Sequence, residues 1–171
     1  MQKLTVVLAV AMLMAPISSA HSQTRRPFSF HAASVQGFAT GKVRITGGGT
    51  FDPVTKFVKA GGSFRCEEDI NQGPFTGLKA GEGVRWDSEE LLPSVDFKCT
   101  GLPEELKKTA FTDDNTVVIR ADFYRAGDGN NASLHAIMFV SLDDEDGVLP
   151  GFQNVWVQGV GCADNAIVHF N

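Results

Sequence analysis

Hydrophobic and polar positions alternate most clearly between Thr116 and Leu142. Val117, Ile119, Ala121 and Phe123 alternate with Thr116, Val118, Arg120, Asp122 and Tyr124, the period of two that a strand shows when one face meets a core. Leu134, Ala136, Met138 and Val140 form the apolar set of a second arm, whose other set is Ser133, His135, Ile137, Phe139 and Ser141. The glycine- and asparagine-rich stretch between the arms, Arg125 to Ala132, predicts a hairpin turn. If the two apolar sets share a face, odd positions pair with even ones. That register sets Asp122 opposite His135 and Tyr124 opposite Ser133, and a slip of one residue destroys it.

The same pattern recurs along the chain. Phe28 to Ala32 predicts a first strand, and two arms from Gly41 to Cys66 fold about a turn at Asp52-Pro53-Val54-Thr55. Folding them brings Gly47 to Gly49 near Gly61 and Gly62, as a sharp sheet bend or a close approach of backbone or ligand requires. Residues 67–83 form an aperiodic loop, either a functional flap or a tied-down surface excursion. Strands follow at Val84 to Trp86 and Val95 to Cys99, with one helical turn between them near Ser88 to Leu92 and a short helix at Pro103 to Lys107. Asn154 to Gln158 and Ala166 to Phe170 close the chain. With 18 glycines and 13 phenylalanines, this is an all-β chain with little helix. The expected architecture is a single-domain antiparallel β-barrel of about eight strands, with a β-sandwich as the alternative.

Met1 to Ala20 has one early lysine, an apolar run and small residues before a polar segment, the pattern of a secretory signal peptide. The run is too short for a spanning helix, so no membrane span is expected once the signal is cleaved. Residues 21–40 then form a lead and the first strand, and residues 41–171 the all-β domain. The net charge of -5 argues against nucleic acid and anionic membrane surfaces as partners. Export places the protein in an extracellular or periplasmic compartment, where two of its three cysteines pair. Cys66 and Cys99 end the strands that flank the long loop and are the expected bridge, leaving Cys162 as an inert thiol.

Chemistry is sparse. Arg120, Asp122, Tyr124, Ser133 and His135 share the hairpin's polar face, and in a barrel whose lumen that face lined, Asp122 would orient His135 as an acid or base. Facing solvent, the same residues are ordinary cross-strand pairs. Trp86 and Trp156, with Ser133, are candidate ligand contacts, although core packing accounts for tryptophans equally well. Asp144, Asp146 and Gly147 look like a calcium-loop fragment, but Leu142 and Gln153 occupy its terminal ligand positions, so it fails as an EF-hand and reads as a solvated hairpin end. Asn131 begins a glycosylation sequon. Cleavage after Ala20 would expose His21 as an amino-terminal histidine, with His31, His135 or His169 as further nitrogens. In that one residue the chain resembles copper monooxygenases and copper carriers that begin with a histidine brace.

The expected function is therefore a secreted, non-catalytic binding module for a small molecule or an extracellular surface partner, its cofactor, if any, unknown from the sequence. Two alternatives stand beside it. One is a barrel enzyme of cyclase, isomerase or hydrolase type using Asp122, His135, Tyr124 and Arg120; the other is copper binding at His21.

Overall fold

The alternation resolves, in a computed structural model, into strands that close on themselves. The described residues are 25–38, 40–124 and 133–171. The expected signal segment 1–20, His21, the expected hairpin turn over 125–132 and the sequon asparagine Asn131 lie outside them. The strands are β1 (Arg26–Gly37), β2 (Val43–Asp52), β3 (Phe57–Cys66), β4 (Gly83–Leu91), β5 (Ser94–Phe97), β6 (Lys108–Phe111), β7 (Thr116–Tyr124), β8 (Leu134–Ser141), β9 (Gln153–Val157), β10 (Gly161–Asp164) and β11 (Ile167–Phe170). The main sheet runs β10-β9-β8-β7-β4-β3-β2-β1-β11, and a further β10–β1 pairing closes eight of its strands into an antiparallel barrel. A register shift between Ala32 and Val35 bends β1, so that its first half pairs with β11 and its end with β10. No helix among the described residues is long and apolar enough to cross a membrane.

The lumen is filled by side chains, as expected of a barrel of this strand number. Trp86 lies at its middle, fully buried, and its Nε1 donates to the Thr46 carbonyl at 3.1 Å. Two of the facing glycines, Gly47 and Gly62, leave room for this ring. A Cβ on Gly47 would fall 2.2 Å from Trp86 Cζ2, and one on Gly62 would fall 1.9 Å from the Thr46 carbonyl oxygen. At one mouth a single 3₁₀ turn, Gly73–Phe75, drives Phe75 against Phe64 and Phe123, with ring centroids 4.7 and 4.8 Å away. The long loop is thus a tied-down cork: Ile70, Phe75 and Leu78 are buried, and Asp69 holds the loop through the Ala80 N–H and the Lys79 ammonium, both at 2.9 Å. At the opposite mouth Phe28, Phe51 and Phe170 pack at 5.7 to 5.8 Å.

The hairpin β5–β6 stands outside the barrel and covers part of its wall. Phe97, Cys99 and Ala110 pack on Val118, Phe139, Trp156 and Cys162, residues that the barrel strands point outward. Here the expected disulfide is corrected. The bridge is Cys99 to Cys162, with Cα atoms 4.8 Å apart, and Cys66 is the free, buried thiol. Cys66 points into the lumen beside Phe64, whereas Cys99 sits on the hairpin outside, so the barrel wall separates the expected partners. Burial, reinforced by the charges of Glu82 and Asp69, pushes the Cys66 thiol up to about 11.

Two local expectations also change. Residues 88–91 continue β4 rather than starting a helical turn, and 103–107 form no helix. At the second position the Glu105 carboxylate accepts the N–H groups of Cys99 and Thr100, each at 2.7 Å, and those bonds set the loop's path.

Candidate functional site

β7 and β8 pair in the expected register, with Asp122 opposite His135. Their polar face, however, looks outward to solvent, not into the lumen. His135 and Arg120 keep 57 % and 47 % of their side-chain surface exposed. Nor do Asp122 and His135 act on each other: the His135 Nδ1 lies 3.1 Å from Glu89 Oε2, and Asp122 Oδ2 accepts the Ser133 hydroxyl at 3.2 Å. Arg120 donates to Glu90 at 2.8 Å, and the Tyr124 hydroxyl donates to Asp87 at 2.6 Å. That bond to a carboxylate, with lesser contributions from burial and neighbouring charge, raises the Tyr124 pKa. The register shift between Ser88 and Glu90 leaves both Glu89 and Glu90 exposed on this face. The arrangement makes solvated pairs of the kind that contribute little to stability and hold no reactant in a dry site.

A second cluster, unread in the sequence, lies where the hairpin meets the loop after β8. Glu105, Asp146 and the Cys99 sulfur have ligand atoms within 4.8 Å of one another. Lys108 occupies their centre: its ammonium pairs with Glu105 at 3.0 Å and with Asp146, whose side chain has no exposed surface. The Cys99 sulfur is spent in the disulfide. This is a partly buried ion triad rather than a cation site. Burial alone would lower the Lys108 pKa, but its bonds to Asp146 and Glu105 outweigh that and raise it. Burial likewise opposes ionisation of Glu105, and bonds from Thr100, Lys108 and two backbone N–H groups overcome it and hold the carboxyl below the usual range. Asp144 braces the loop by accepting the N–H groups of Asp146 and Gln153 at 3.1 and 3.0 Å. The expected solvated hairpin end is therefore an anchored one.

The two tryptophans part company. Trp86 is sealed in the lumen. Trp156 faces outward, stacked on Phe139 at 6.1 Å and donating through Nε1 to the Lys98 carbonyl at 2.9 Å. It borders a groove of about 510 Å³ along the seam between hairpin and barrel, in the volume range of small-molecule sites. Phe38, Pro74 and Phe97 complete the apolar lining, and Asp96, Lys98 and Lys107 are its charged members. The sequence pattern marks Trp156 but not Phe38, Lys98 or Lys107; the only cue to them is the alternation that runs through Phe97 at the end of β5 to Lys98. Among the other histidines, His31 and His169 lie exposed on the paired strands β1 and β11, and His135 on β8 is three strands away around the wall. Comparison of the chain with protein-family models, curated proteins and solved structures gives no match.

Proposed function

We propose that this protein is an exported, non-catalytic binding module that takes a small molecule in the groove between the β5–β6 hairpin and the barrel. The observation that carries this reading is the contrast between a lumen packed with aromatic rings and an open groove outside it, bordered by Trp156 and Phe97 and rimmed with charge. A ligand entering the lumen would have to displace Phe75 or Trp86 from close packing, whereas the groove needs no such rearrangement. The Cys99–Cys162 bridge agrees with an oxidising compartment and fixes one wall of the groove. Rigid walls lower the ordering cost of binding. The exposure of His135, and its pairing with Glu89 rather than with Asp122, favour binding over catalysis.

The test is the mass of the secreted protein under native and then denaturing conditions. The expected result is a chain beginning at His21, with one disulfide, that carries an additional small-molecule mass natively and loses it on denaturation. Replacement of Trp156 by Leu should strip that mass while the thermal melt remains cooperative. A native mass equal to the bare chain, with no change in Trp156 fluorescence across a panel of small organic ligands, would reject the reading.

A further inference from the structure

The charge of the groove runs against that of the chain. The whole sequence carries -5, yet the charged residues bordering the groove are two lysines and one aspartate. Lys107 is neutralised, its ammonium 2.8 Å from Asp96. Lys98 is not. Among the described residues its Nζ reaches only the Leu102 carbonyl, at 3.4 Å, and it forms no ion pair. The loop that carries Leu102 turns apolar surface to solvent beside the groove, with Leu102 and Leu106 exposed by 53 % and 79 %. An apolar floor and one cation without a counter-charge are complementary to an apolar molecule that bears one anionic group.

We infer that the groove selects an amphipathic organic anion: an apolar or ring-bearing body laid along Phe97 and Trp156, with one carboxylate or sulfonate met by Lys98. The inference rests on the binding reading above and names its ligand class. Lys98 would trade a weak neutral acceptor for a charge-assisted hydrogen bond.

Two dyes of one skeleton test it. Anilinonaphthalene sulfonate carries the anion, and phenylnaphthylamine is the same ring system without it. Each is titrated by fluorescence against the oxidised full-length mature protein and its Lys98→Gln and Lys98→Arg variants, with thermal melts as the folding control. The sulfonate should bind about tenfold more tightly than the neutral dye, Lys98→Gln should erase that margin, and Lys98→Arg should keep most of it. Trp156→Leu, which removes the aromatic wall of the groove, should weaken both dyes on direct excitation and so places them there. Equal binding of both dyes, or a margin indifferent to Lys98→Gln, would overturn the ligand class and leave the groove reading intact. Absence of binding by either dye would overturn both.

Discussion

At one end of β7 and β8 the outward positions are Val118, Ile137 and Phe139; towards the other they are Arg120, Asp122, Tyr124 and His135. The strands are the same, the pairing is continuous, and every one of these side chains points away from the lumen. Val118 and Phe139 are fully buried, whereas Arg120 and His135 stand in water. The cause lies elsewhere in the chain. Between β4 and β7 it detours through β5 and β6, and Phe97 of that detour sets its ring 4.8 Å from Phe139 in a T-shaped contact. Period-two alternation thus assigns a residue to a side of the wall, but exposure depends on what covers that side.

That comparison can be broken by experiment. The largest effect should come from the covered half: Phe139→Ala should cost about 3–5 kcal/mol and lower the melting temperature by roughly 10 °C or more. A loss of only a degree or two would mean that the hairpin is not packed there. Serine at both Cys99 and Cys162 should cost about 2–5 kcal/mol, measured by denaturant unfolding under non-reducing conditions. An unchanged midpoint would remove the bridge from the account of the cover.

The triad gives an intermediate, pH-dependent effect. Folding holds the Glu105 pKa below its unfolded value, so its contribution is full above the ordinary glutamate pKa of about 4.3 and is lost as pH falls through the lower folded value. Between about pH 5 and pH 3 the wild type should therefore lose melting temperature more steeply than Glu105→Gln. Parallel curves would contradict the assignment. Smallest of all, His135→Ala and Arg120→Ala on the bare half should each change stability by less than about 1 kcal/mol, and added salt should shrink the difference further. A larger loss would show that this half is covered too.

Much of the wall was legible because its determinants are local. Asp52 accepts the N–H groups of Val54 and Thr55 at 2.9 and 3.2 Å, the turn its sequence predicts, and the register of β7 and β8 follows from their apolar sets. Facing glycines were legible, but not the Trp86 ring that Gly47 and Gly62 accommodate, since the ring arrives from the next strand around, across a long loop. The cysteine pairing was out of reach for a related reason. Proximity in sequence favoured Cys66 and Cys99, and only closure of the barrel decides that one faces in and the other out. At Glu105 local helix signals yielded to a carboxylate with better partners in the loop. Asp146 read as part of a solvated hairpin end because its burial depends on Lys108, which arrives from a distant strand.

The Cys99–Cys162 bridge also bears on how quickly the wall can close. The registry that closes the barrel joins its first strand to its last, with Gln36 opposite Cys162. The bridge spans 63 positions, and Gln36 lies the same distance before Cys99, so the chain path from Gln36 to Cys162 through the bridge is half the unbridged one. Halving a flexible loop saves about 0.6 kcal/mol of closure entropy, equivalent to a roughly threefold faster encounter of the two edges. A chain oxidised before it folds would therefore spend less time with its outermost strands unpaired, the interval in which a sheet of this kind is most exposed to its neighbours.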